Sequence, residues 1–249
     1  MANVNDFLAV LNNLSEKNSV EVFLPAVQRT VKFKPFSAKQ QKSFYNCIKD
    51  NILFNTKFTL TSYTIIKDNC LEQEVVDKLT IIDRVIILLA LRRASLGSKL
   101  NVTGYDITLD DCLQQVTNIT VPANKTVTIE NIQIEISVPL ATEQYLMEKQ
   151  LRENLQSESR TIHEAAGDLI LNGICLYIKK LWINGVALNY EELLYKDRLT
   201  VIESLPANTL LEIQEYASIV TNTINSILEV EVEPNTKVAV AITSDLFLN

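Results

Sequence analysis

Residues 79–97 read LTIIDRVIILLALRRASLG. Apolar side chains fall on nearly every side of a 3.6-residue wheel, so the stretch is expected to form a helix buried on most faces at the centre of the protein. Gly97 is the natural C-cap. Asp83 and Arg84 interrupt the apolar run, and an unpaired buried charge is costly. They are therefore expected at the rim of the helix or against partners. The run is too short to span a bilayer.

Around this helix the pattern changes twice. Upstream, Val20–Leu24 and Arg29–Phe33 read as two strands joined by a turn at Pro25, with Val31 and Phe33 on one face and Lys32 and Lys34 on the other. Pro35-Phe36 ends the second strand. Ser37 is an N-cap for a helix over 38–52, and another helix is expected over 60–70. Phe7, Leu8, Val10, Leu11 and Leu14 suggest a short amphipathic arm before the strands.

Downstream, residues 100–138 alternate apolar with Thr, Asn, Gln and Glu, most clearly over Thr126–Val138 (TVTIENIQIEISV). Pro139 ends the alternation, and Thr142 is placed to cap a long, polar helix. Asn184-Gly185 between two apolar triplets predicts a hairpin. Asn189 with Glu191-Glu192 opens a further helix, Pro206 starts another, and residues 227–242 form a last hairpin turning at Glu233-Pro234-Asn235. The expected fold is α+β: a helical N-terminal half with a β-rich insert, then helices with β-hairpins. The expected divisions are an arm at 1–18, a strand–helix–β domain at 19–140, and a helix–hairpin–helix domain at 141–249 with a C-terminal hairpin and tail.

Composition excludes several functions. The formal net charge is −7 and the pI about 4.9, and the densest basic cluster is Arg92-Arg93 with Lys99. That is too little to displace counterions from a nucleic-acid backbone. Five glycines form no phosphate-cradling loop. Cys47, Cys70, Cys112 and Cys175 are widely spaced, with no CxxC pair, and no basic, apolar leader opens the sequence; free buried thiols in a reducing compartment are expected. The single histidine, His163, has neither a nucleophile signature nor metal-ligand spacing around it, so a surface histidine is the expectation. Asp110-Asp111 and Glu191-Glu192 are expected to be solvated. No enzyme activity, cofactor, metal, nucleic acid or membrane is expected. Recognition of other proteins remains, through the N-terminal helix, the polar helix around 146–155, or the tail Leu246-Phe247-Leu248, whose apolar side chains need either a partner or the chain's own core.

The order of these segments resembles a known family. Val31-Lys32-Phe33-Lys34-Pro35-Phe36-Ser37 followed by Ala38-Lys39-Gln40-Gln41-Lys42 resembles the opening of T-even-type phage baseplate hub assembly proteins, with Gln at 40 and 41 where that family has acids. Ile65–Cys70 resembles its next helix, ending near a cysteine. The apolar helix with internal Asp83 and an Arg92-x-x-Ser95-x-Gly97 ending is similar too. A β segment closing at Pro139, a Lys180–Gly185 hairpin, a Glu191-Glu192-led helix and a final hairpin with a Phe-containing terminus follow in order. The likeness runs from about residue 20 to the end and marks Pro35, Phe36, Asp83, Arg92, Ser95 and Gly97 as family positions. The final hairpin lacks the paired cysteines that suit zinc in relatives, so a metal role falls away. The resemblance implies a protein that assists baseplate hub assembly in the bacterial host cytoplasm by binding hub or tape-measure proteins, with homo-oligomerisation also open. The other reading it offers is a hub subunit retained in the virion.

Overall fold

A computed structural model describes residues 13–14, 16–48, 54–157 and 170–247. The architecture is α+β, built on small sheets. In chain order the elements are β1 (Val20–Leu24), β2 (Arg29–Phe33), α1 (Ala38–Ile48), α2 (Phe54–Asn69), a 3-10 turn (Gln73–Lys78), α3 (Ile81–Leu96), β3 (Lys99–Val102), β4 (Tyr105–Thr108) and α4 (Leu109–Gln115). Then follow β5 (Lys125–Ile129), β6 (Ile132–Ile136), α5 (Ala141–Ser157), β7 (Ile178–Ile183), β8 (Val186–Leu188), α6 (Tyr195–Glu203), α7 (Ala207–Leu228), β9 (Glu229–Glu233), β10 (Thr236–Ala239) and a final 3-10 turn (Ser244–Phe247).

The helix read from residues 79–97 is α3, and it is central: it touches β1, α2, α4, α5, α7 and the final 3-10 turn. From Ile82 to Arg92 every residue but Arg84 is buried. Each buried Leu, Ile or Val of this run contributes about 1.5–3 kcal/mol of transfer free energy. Its start is fixed by a reciprocal box: the Thr80 hydroxyl accepts the Asp83 N–H at 3.2 Å, and Asp83 Oδ2 accepts the Thr80 N–H at 2.9 Å. Asp83 is fully buried rather than at the rim, and its second oxygen accepts the Ala26 N–H at 3.3 Å. Burial raises its pKa, and the donors from Thr80 and Ala26 oppose that shift. At the other end Gly97 takes φ 91°, and its N–H closes on the Arg93 carbonyl at 3.1 Å.

Three antiparallel hairpins stand as two-stranded sheets, β1–β2, β3–β4 and β9–β10, and one four-stranded sheet runs β5-β6-β7-β8. The pairing of β6 with β7 joins segments on either side of residue 140, and one apolar cluster takes side chains from Val22 to Phe247. The expected division at 140/141 therefore runs through a sheet and a shared core.

Several local expectations change. The alternation over Thr126–Val138 is two strands, because Glu130-Asn131 forms a turn with Glu130 at φ 53°. Residues 109–115 are helical: Thr108 and Asp111 make a second capping box, and Asp110 pairs with Arg93 at 2.9 Å. Thr142 lies inside α5, its hydroxyl 2.9 Å from the Tyr63 hydroxyl, while Glu143 accepts the Leu140 N–H at 2.8 Å. Glu191-Glu192 falls in a 3-10 turn before α6. Phe7, Leu8, Val10 and Leu11 of the expected arm lie outside the described residues, as do His163 and Leu248.

Candidate functional site

Five of the six family positions meet at one place. Pro35 cannot extend the β2 ladder, and the chain turns there toward α1. The Phe36 N–H, freed from the strand, donates to Ser95 Oγ on the last turn of α3 at 2.7 Å. One turn back, the buried Arg92 donates from Nε to the Leu246 carbonyl at 2.7 Å and from Nη1 to the Gly97 carbonyl. A guanidinium serves here because its planar fork reaches two backbone carbonyls at once. Asp83 is the exception, at the opposite end of α3.

The tail completes this site. Phe247 is fully buried, its ring stacked on Phe44 (centroids 4.1 Å apart, planes 12°) and edge-on to Phe36 at 5.4 Å. Phe58 lies 6.2 Å away, and Gln41 Nε2 donates to the Phe247 carbonyl at 3.2 Å. Of the two homes open to the tail's apolar side chains, a partner or the chain's own core, Leu246 and Phe247 take the second: both are buried, with the Phe247 ring in an aromatic pocket left by α1, α2 and α3. Nothing in the sequence links Phe36, Phe44, Phe58 and Phe247 before the fold brings them together.

A second feature is an open groove of about 740 Å³ between α1, α2 and α5, lined by Lys39, Thr61, Thr64, Tyr145, Lys149 and Arg152 among others. The polar helix expected to bind partners forms one wall. Its Met147 and Leu151 are buried, whereas Leu146 stands exposed. Behind the groove, Thr56 Oγ1 donates to Glu148 Oε2 at 2.7 Å. Burial raises the Glu148 carboxyl, opposed by Thr56 and by the positive Arg84. Burial pushes Arg84 down to about 10, with Glu148 opposing. Arg84 Nε and Nη1 and Gln144 Oε1 are enclosed without a hydrogen-bond partner among the described residues. This polar knot joining α2, α3 and α5 was missed in the sequence because its members are spread over 56–148.

All four cysteines are free and buried. Burial raises the thiols of Cys70 and Cys175 and takes Cys112 up to about 11, which holds these three as unreactive thiols at neutral pH. Among the described residues no group of three or more His, Cys, Asp or Glu is arranged to hold a metal ion, and no helix is long and apolar enough to cross a membrane.

With that geometry in place, the sequence model of the family described as T4 bacteriophage base plate protein matches residues 16–243. The chain belongs to that family. No curated protein and no solved structure matches it. The base plate family match contains all six motif positions and the whole wall of the aromatic pocket, and it ends just before the final 3-10 turn that fills it. A chain of this family is a phage baseplate-associated protein, with phage proteins as its partners.

Proposed function

We propose that this base plate family protein is a non-enzymatic assembly factor. It binds hub or tape-measure proteins in the bacterial cytoplasm and shields their apolar or strand-edge surfaces until the baseplate hub closes. The family match over residues 16–243 carries this reading. A second reading is favoured by the family's own description as a base plate protein: a hub subunit retained in the virion.

The deciding experiment is mass-spectrometric quantification of the protein in purified virions, together with co-purification from infected cells. Complexes with hub proteins in cells and absence from finished particles are expected. Stoichiometric presence in virions would replace the assembly factor with the structural subunit. The non-enzymatic part is tested by His163→Ala, which should leave phage yield unchanged; a loss of yield from a folded variant defeats it.

A further inference from the structure

The tip of the four-stranded sheet brings two hairpin turns side by side. Strand register sets Ile129 opposite Ile132, Ile132 opposite Ile183 and Ile183 opposite Val186, a row of β-branched side chains. The turn Glu130-Asn131 joins the first pair of that row, and Asn184-Gly185 joins the last. The two turns are fastened to each other. The Asn184 N–H donates to the Asn131 carbonyl at 2.9 Å, and Asn131 Nδ2 donates to Asn184 Oδ1 at 2.6 Å. Both bonds end on Asn184, so Asn131 fixes its backbone and its side chain at once.

An Asn-Gly pair carries a chemistry of its own. The asparagine side-chain amide is an electrophile, and glycine, with no Cβ, leaves its backbone nitrogen open to approach it. The chain's Asn-Gly pairs are Asn172-Gly173 and Asn184-Gly185, and the fold treats them differently. Asn172 sits in a helical stretch, residues 170–175, and is only 3% exposed, so helical backbone and burial both keep it from reacting with water's help. Asn184 and Gly185 are both exposed. What restrains the second pair is the turn and the Asn131 clamp.

Asn184 has φ 53° and Gly185 φ 74°, two positive values in a two-residue loop, which make a type I′ turn. In such a turn the first central residue has ψ of about 30°, which puts the Gly185 nitrogen on the side of the backbone away from the Asn184 Cβ. A ring between that nitrogen and Asn184 Cγ closes only when nitrogen and Cβ lie on the same side and the side chain folds in over the backbone. The bond to the Asn184 N–H resists the first rotation, and the bond to Oδ1 resists the second. The clamp is shallow. Asn131 is exposed, and the strand behind Asn184 is β8, three residues long and at the sheet's edge. Exposed contacts of this kind open at far lower cost than the core.

We propose that Asn184 is a self-modification site, a succinimide-forming asparagine that the Asn131 clamp holds unreactive and that converts when the hairpin tip opens. In the open tip the Gly185 amide gives up its proton to base and its nitrogen attacks Asn184 Cγ. A C–N bond closes a five-membered succinimide, and the Cγ–Nδ2 bond breaks as ammonia leaves with a proton from water. Water then opens the ring. Attack at Cγ breaks its new bond to nitrogen and gives aspartate. Attack at the backbone carbonyl breaks the original peptide bond and gives isoaspartate, with the main chain rerouted through Cβ and Cγ. That detour adds an atom to a turn whose two positive φ angles leave no room for it, so β8 loses its register on β7. The change is one-way, since nothing returns the ammonia.

The test incubates the purified full chain in mildly alkaline buffer, folded and in guanidinium, and follows both Asn-Gly peptides by mass spectrometry, with isoaspartate scored by fragmentation. Unfolded, the two sites should convert at similar rates. Folded, Asn184 should convert more slowly than when unfolded, and Asn172 more slowly still. Asn131→Ala should speed conversion at Asn184 in the folded protein about fivefold, the equilibrium factor one net hydrogen bond is worth, and leave Asn172 unchanged. In the isoaspartate fraction the Val186 amide should exchange with deuterium faster than in the unmodified protein. Equal rates at Asn184 in the folded and unfolded chains overturn the proposal, and so does conversion of folded Asn172 as fast as Asn184. An unchanged rate in folded Asn131→Ala overturns the clamp, as does no conversion at Asn184 in the folded protein with or without Asn131. If Asn131→Ala does not fold, the comparison of the two sites in the unaltered chain decides.

Discussion

At the Phe247 pocket, rings from α1, α2, the β2–α1 step and the tail close on one another, and Arg92 fastens the arrangement by binding backbone carbonyls of Leu246 and Gly97. At the tip of the four-stranded sheet, β-branched side chains line up as regularly, but their cover thins along the row: Ile129 and Ile132 are half-buried, whereas Ile183 and Val186 are exposed. Both regions are apolar and both are rigidly built. They differ in whether the chain supplies its own cover. An apolar motif in a sequence therefore does not say whether it serves stability or recognition; the distribution of covering elements decides that.

The two regions should respond oppositely to substitution. The largest effect is expected at Phe247→Ala, which empties the centre of the pocket and should cost about 3–5 kcal/mol in urea unfolding. A loss under about 1 kcal/mol would mean the pocket closes without its plug. Arg92→Leu comes next. It strands the buried Leu246 carbonyl, while the exposed Gly97 carbonyl can turn to water, and should cost about 1–3 kcal/mol by the same measurement.

Smaller still is an effect of pH. The Glu148 carboxyl sits above its ordinary 4.5 because it is buried. Its contribution to stability is fully present below that ordinary value and is lost as pH rises through the higher folded value. Glu148→Gln should flatten that part of the stability–pH profile, measured by chemical unfolding from pH 4 upward; an unchanged slope would show that another group carries it. Least of all, Ile183→Lys with Val186→Lys should move the unfolding free energy by only about 0.5 kcal/mol. A large drop would show that the tip row belongs to the core after all.

Much of the fold was legible from local patterns. β1 and β2 follow their alternation to the residue, Gly97 caps α3, and Asn184-Gly185 makes its hairpin. What was hidden had physical reasons. The turn at Glu130-Asn131 uses a left-handed glutamate where glycine would have announced it. The seven-residue α4 sits inside a β-like alternation, betrayed only by the Thr108–Asp111 box. The family positions were visible as a series, but that they converge on Phe247 was not, because the pocket is assembled from side chains far apart in sequence. The tip row was invisible for a related reason: Ile129, Ile132, Ile183 and Val186 become neighbours only through strand register.

The hydrogen bond from Gln41 to the Phe247 carbonyl spans 206 residues of chain. Such a contact yields its stabilisation only after a very long loop has been closed, so it belongs late in folding. Substitutions at Phe247 should accordingly hasten unfolding while leaving the folding rate nearly unchanged. The tail then acts as a kinetic bolt: it adds little to how fast the structure is found and much to how long it lasts.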